Sequence, residues 1–116
     1  MPAEAAHKGA TVAPIPEIAG ELQELLGQRV VAYATGLKSP KTVGRWVTGT
    51  NPHPEQGKKL RDLFRTVLIL RKSYGSETIR AWLEGANPEL GNTAPIDALR
   101  EGRDVDVFGA AEDFAS

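Results

Sequence analysis

The chain has no cysteine, only two histidines, and no long hydrophobic run. The absence of cysteine excludes disulfides and thiolate metal sites. No apolar run approaches the roughly 18 residues that a membrane-spanning helix requires, so no membrane partner is expected. The first residues, Met1 to Glu4, lack the basic start and apolar core of a signal peptide. A bacterial cytoplasmic protein is therefore expected.

The sequence also lacks the parts of an enzyme active site. No Gly-rich phosphate loop follows a predicted strand, and the carboxylates are scattered over positions typical of a surface. His53 lies between two prolines with no second ligand nearby, so a metal site is not expected. We predict a protein that is not an enzyme and that has no catalytic residue, metal or cofactor.

Charge is segregated along the chain although the net charge is only -1. Residues 38 to 72 contain nine basic and two acidic residues, whereas the segment from Glu101 onward contains five acidic residues and one arginine. A basic middle suits a polyanion such as DNA, but a solvated helix face has the same composition. The acidic tail suits a different partner, or its charges only keep the end of the chain solvated.

Apolar spacing predicts helices throughout the chain. Residues 1–16, with Pro14 and Pro16, should form a flexible arm. A first amphipathic helix should run from Glu17 to a stop at Gly27. A long helix should run from Pro54 to about Tyr74, with Gly75 as its stop. Three further helices are predicted: one opened by Ser76 and ended by Gly85, a short one from Pro95 to before Gly102, and one from about Val105 to Phe114.

Two short helices between Val30 and Gly49 have the pattern of a helix-turn-helix. Gly36 ends the first, and Ser39 as N-cap with Pro40 in the first turn opens the second, in which Trp46 should point inward. A plain helical hairpin would look similar. Basic and polar residues at the start and on the outer face of the second helix favour DNA recognition. The candidate DNA-binding residues are Lys38, Ser39, Lys41, Thr42 and Arg45.

The apolar residues of the later helices leave alternatives open. Val67 and Leu68 should be core, whereas Ile69 and Leu70 fit either core or a contact between subunits. Trp82 is expected in the core. The overall prediction is an all-α fold, with a helix-turn-helix bundle over residues 17–74 followed by a small helical module over residues 75–116.

The segment from Trp82 to Phe114 contains a helix ending in Trp-Leu, then Asn-Pro-x-Leu-Gly, then Pro-x-Asp-x-Leu and a glycine. The matching residues are Trp82, Leu83, Asn87, Pro88, Leu90, Gly91, Pro95, Ile96, Asp97, Leu99 and Gly102. This pattern resembles the C-terminal toxin-binding module of Xre/MbcA/ParS-type antitoxins. Asn92 stands where a second glycine is common, and Ala94 replaces a capping hydroxyl residue. Compared with the usual pattern, one extra residue also lies between Gly36 and the Thr42-Val43 pair.

The resemblance implies an antitoxin of a type II toxin-antitoxin system. Such a protein dimerises, binds its own operator DNA, forms higher-order complexes with its toxin, and neutralises a RES-type toxin that consumes NAD by covering the active site. The candidate toxin-binding residues are Asn87, Pro95, Asp97, Arg100, Phe108, Glu112, Asp113 and Phe114. Any one motif residue has an alternative role in supporting the loop. The alternative function is a stand-alone helix-turn-helix repressor whose C-terminal helices only dimerise.

Overall fold

The computed structural model describes residues 13–116, which form seven α-helices and one turn of 3-10 helix. The helices are α1 (Ile15–Leu26), α2 (Gln28–Thr35), α3 (Lys41–Val47), α4 (Pro54–Leu70), α5 (Ser76–Glu84), α6 (Pro95–Arg100) and α7 (Asp104–Ala115), and the 3-10 turn is Pro88–Leu90. The predicted all-α fold is confirmed. Most of the predicted flexible arm, residues 1–12, lies outside the described residues.

The helix α1 begins at Ile15, so the predicted arm is wrong for the last residues before Glu17. Pro14 is the N-cap of this helix and Pro16 lies in its first turn. The first amides of a helix have no acceptor within the helix, so proline causes no loss there. The prolines therefore begin α1 rather than block it. Its end at Gly27 agrees with the sequence prediction.

The helices α2 and α3, which are the two helices of the predicted helix-turn-helix unit, pack against each other and against α1. Gly36 ends α2 in a left-handed conformation, with φ of 78°, and the Leu37 N–H donates to Ala32 O at 2.8 Å. Val43 and Trp46 of α3 are fully buried. One detail differs, because the Ser39 side chain does not cap α3. Pro40 is the N-cap, and the helix begins at Lys41.

The helix α4 ends at Leu70, four residues before the predicted end. The N–H groups of Ser73 and Tyr74 both donate to Leu70 O, which closes a turn in place of further helix. Gly75 is extended and serves as the N-cap of α5, so the predictions that it ends α4 and that Ser76 caps α5 are wrong. None of the helices described between residues 13 and 116 has both the length and the hydropathy required to cross a bilayer.

One continuous cluster of buried side chains contains residues of every helix from α1 to α7. The helix α7 packs along α4 and buries Val107, Phe108, Ala110 and Ala111. Ile69 and Leu70 are buried within the single chain, so they belong to the core and not to a contact between subunits. The last helix, α7, is thus part of the hydrophobic core that also contains residues of α1 to α4. The proposed boundary between residues 74 and 75 remains a prediction.

Candidate partner-binding surfaces

The outer face of α3 and the loop before it carry the cations predicted to contact DNA. Lys38, Lys41 and Arg45 are exposed, Ser39 is exposed, and Thr42 is half-buried. Within the described part of the chain, the side chains of the three cations have no hydrogen-bond or ion-pair partner. Their charge is therefore available to a ligand. We call Lys38, Lys41 and Arg45 the α3 cations.

The cations of α4, with Arg71 directly after its last residue, are used differently, because several of them have partners within the chain. We call this set the α4 cations. Lys58 lies 2.8 Å from Asp62 and 3.5 Å from Asp104, and Arg71 lies 3.4 Å from Glu21. The hydrogen bond with Asp62 raises the pKa of Lys58. These cations tie α4 to α1 and α7. The basic middle of the sequence therefore divides into a free set on α3 and a set on α4 engaged within the fold.

Two more α4 cations stabilise the C-terminal helices. The Lys59 ammonium donates to the backbone oxygen of Arg100 at 2.6 Å, at the end of α6. The Arg65 guanidinium lies over the ring of Phe108, 4.1 Å from its centroid. A cation is favourable at both positions, one because it complements a helix C-terminus and the other because of the ring quadrupole. Both contacts hold the C-terminal helices on the helix-turn-helix bundle.

Asp97 and Arg100 of α6, predicted to bind a toxin, meet Tyr33 of α2. The Tyr33 hydroxyl donates to Asp97 Oδ1, and the Arg100 guanidinium lies 4.6 Å from the Tyr33 ring centroid. Tyr33 is 42% exposed, so this cluster is on the surface. It borders a cavity of about 260 Å³ that Arg29 and Glu84 also line. The two α6 residues are therefore already in contact with the helix-turn-helix unit.

The contact with Asp97 gives a titration test. The hydrogen bond to Asp97 raises the pKa of Tyr33 above its ordinary value of 10.0, while Arg100 acts in the opposite direction. The bond therefore stabilises the fold fully below about pH 10 and is lost as pH rises through the folded-state pKa. In a Tyr74→Phe chain Tyr33 is the only tyrosine, so tyrosinate absorbance reports it alone. We expect a midpoint above 10 that falls when Asp97→Asn is added; an unchanged midpoint contradicts the contact.

The Asn-Pro-x-Leu-Gly segment forms a closed loop with its own hydrogen bonds. Asn87 Oδ1 accepts from the Glu89 N–H at 2.9 Å, and an isolated antiparallel bridge joins Asn87 to Thr93. Leu90 is buried, and Asn92 adopts the left-handed conformation with φ of 69°. Asn tolerates this conformation better than most residues. Asn87 thus shapes the loop.

The predicted contacts of the last helices divide between surface and core. Glu112, Asp113 and Phe114 are exposed, with Phe114 at 40%. Pro95 and Phe108, also predicted to contact a toxin, are buried, with Phe108 only 6% exposed, so neither is on the surface of the described chain. The apolar face of α7 covers α4, and Pro95 begins α6 against the core.

Trp82 is half-buried rather than in the core, because its ring packs beside Phe114. The two ring centroids are 6.0 Å apart, and Phe114 also lies 4.7 Å from the ring of Tyr74. The Tyr74 hydroxyl donates to the Phe114 backbone oxygen at 2.8 Å. The three rings fix the end of α7 against α5 and leave one side of Phe114 in solvent.

Comparison with known proteins gives one informative match. The chain is similar to an antitoxin. It is 36% identical over 76 residues to a protein described as a probable mycobacterial cidal antitoxin of Mycobacterium tuberculosis, and the match covers 66% of this chain. The chain spans 65% of the length of that relative, slightly less than two thirds.

Two other comparisons are negative. No protein-family model matches the chain. No solved structure matches it either.

Two residues at these surfaces were missed in the sequence. Tyr33 lies off the apolar stripe of α2, so an outward-facing aromatic side chain was the available signal. Glu89 occupies the variable position of the Asn-Pro-x-Leu-Gly motif, where the pattern gives no signal. Within the described residues, no three His, Asp or Glu side chains form a group that could hold a metal ion.

Proposed function

We propose that this chain is an antitoxin of a type II toxin-antitoxin system. The observation that carries the proposal is the similarity of 66% of its length to a protein named as an antitoxin. The proposed target is a RES-type, NAD-consuming toxin, on the basis of the motif between Trp82 and Gly102. The chain itself performs no chemistry and acts by covering the active-site entrance of the toxin.

The proposed toxin-binding surface is the exposed end of α7 together with the neighbouring loop. Glu112 and Asp113 present negative charge, and Phe114 presents a partly exposed ring held by Tyr74 and Trp82. An aromatic anchor fixed by its neighbours costs little conformational entropy on binding. Acidic side chains suit the basic pocket that an enzyme needs for the phosphates of a dinucleotide.

The proposal also includes binding to operator DNA, by which the chain regulates its own operon, as a homodimer in the cytoplasm. The support for this part is that the α3 cations have no partner in the described chain, whereas several cations on α4 do. Free cations beside a helix-turn-helix neutralise phosphates and release counterions.

An inhibition assay tests the toxin-binding surface. The product of the adjacent reading frame is purified, and its consumption of NAD is measured against increasing concentrations of this chain. In the Asp113→Asn/Phe114→Ala variant, we expect the concentration for half-inhibition to rise by about ten-fold or more, since interface anchors contribute about 2 kcal/mol. The matched control is Val105→Ala, at the other end of α7, where the side chain is 75% exposed.

Truncation after Gly102 is a poor form of this test, because it removes all of α7 and exposes the α4 side chains that α7 covers. Point substitutions at the exposed end avoid that loss of structure. Equal inhibition by the double variant and the unaltered chain contradicts the proposed surface. An adjacent product that does not bind the chain favours the stand-alone repressor.

A further inference from the structure

A groove of about 420 Å³ separates the C-terminal end of α5, the 3-10 turn and the last turns of α7. Its lining combines small residues, two aromatic rings and two carboxylates. The residues that decide its chemistry are Trp82, Phe114, Glu89 and Asp113, and Gly85 and Ala110 leave space between them. Such a groove accepts a side chain rather than a whole helix.

The two carboxylates come from different elements and lie side by side. Glu89 belongs to the 3-10 turn and Asp113 to α7, and both are exposed. A hydrogen bond with Asp113 raises the pKa of the Glu89 carboxyl, because the bond needs a proton on one of the two carboxyls, and repulsion between the two negative charges acts in the same direction. Among the described residues, no lysine, arginine or histidine lines the groove. This part of the chain therefore supplies no cation to the negative charge at the groove.

The combination of planar rings and paired carboxylates is complementary to a guanidinium group. Arginine donates in a flat fork to carboxylates and also stacks on aromatic faces, whereas lysine is a compact, strongly hydrated charge. The described residues contain three contacts between an arginine and an aromatic ring, Arg65 over Phe108 at 4.1 Å, Arg100 over Tyr33 at 4.6 Å and Arg71 over Phe64 at 5.9 Å. None involves the rings of this groove.

We propose that this groove binds an arginine side chain presented by a partner protein. The guanidinium lies against the Trp82 and Phe114 rings and pairs with the carboxylates of Glu89 and Asp113. The inference rests on the proposed function, in which that partner is the toxin. An enzyme that binds a dinucleotide needs cationic side chains at its pocket for the phosphates. On this basis, the antitoxin receives an arginine from the toxin as well as covering its entrance.

A peptide titration followed by NMR tests the groove without the toxin. The probe is an acetylated Gly-Arg-Gly amide, and the matched probe carries citrulline, which keeps the shape of arginine without its charge. Trp82 is readily identified because the other tryptophan, Trp46, is buried. We expect a saturable shift of the Trp82 indole N–H with the arginine peptide, and an apparent affinity about five-fold lower with citrulline, the scale of two exposed charge pairs.

Variants locate the charges. Glu89→Gln/Asp113→Asn should remove the preference for arginine over citrulline, whereas Glu24→Gln/Glu101→Gln, which removes two exposed carboxylates outside the groove, should keep it. Equal shifts with the two peptides on the unaltered chain overturn the proposal and indicate an apolar occupant. Absence of a saturable shift overturns it as well. A preference for arginine in a chain that binds no toxin contradicts the proposed function but not the groove.

Discussion

Replacing Lys41 and Arg45 together with alanine should weaken binding to DNA from the chain's own promoter by on the order of ten-fold or more at 0.1 M salt. It should also reduce the slope of log affinity against log salt by about 2, as expected for the loss of two phosphate contacts. Both side chains are exposed on α3, and neither has a partner in the described residues. Electrophoretic mobility shifts over a range of salt concentrations measure both quantities.

The matched control for this prediction removes the same charge from the α4 cations. Lys58→Ala/Arg71→Ala deletes two cations that have acidic partners within the chain, Lys58 with Asp62 and Asp104 and Arg71 with Glu21. Exposed pairs of this kind contribute about 1 kcal/mol or less to stability, so the control should fold. It should bind DNA more tightly than the α3 variant. Equal weakening by both variants indicates general charge attraction, and no weakening by either excludes α3 as the DNA-binding helix.

Phe108→Ala should lower the free energy of unfolding by about 3 kcal/mol, within the range for truncating a buried aromatic residue. Phe108 is 6% exposed, is packed between α7 and α4, and lies under the Arg65 guanidinium at 4.1 Å. Its removal leaves a cavity and a cation without its ring. Urea denaturation followed by circular dichroism measures the change.

Phe114→Ala is the comparison for Phe108, since both phenylalanines lie on α7. Phe114 is 40% exposed and contacts only the rings of Tyr74 and Trp82 among aromatic residues described. Its loss should cost about 1 kcal/mol, typical of a partly exposed site. A large loss of stability in the Phe108 variant and a small loss in the Phe114 variant would assign a structural role to Phe108 and leave Phe114 for binding. A Phe108 variant as stable as the unaltered chain contradicts the packing of α7 on α4.

The helices were largely predictable because their signals are local. Gly27, Gly36 and Gly85 end helices where the apolar spacing stops, and Pro54 and Pro95 begin them. Errors arose where a residue has two roles. Pro16 starts α1 although proline usually breaks helices, and Gly75 precedes α5 instead of ending α4. Whether such a residue begins or ends a helix depends on the hydrogen bonds made by the residues that follow it.

The candidate surfaces were less predictable because they depend on contacts between distant parts of the chain. Tyr33 and Asp97 are 64 residues apart, and no local pattern relates them. The charges of Lys41 and Lys58 look alike in sequence, yet only Lys58 has an acidic partner across the fold. Phe108 and Phe114 were both predicted to contact a toxin, whereas the packing of α7 buries the first.

Co-expression of this chain with the product of the adjacent reading frame tests the antitoxin proposal most directly. Growth and intracellular NAD are followed with the adjacent product alone and with both proteins, and the purified mixture is analysed by size-exclusion chromatography. We predict that the adjacent product alone stops growth and depletes NAD, and that this chain restores both and co-elutes with it. Growth arrest that persists in the presence of the folded chain, with no complex formed, contradicts the proposal.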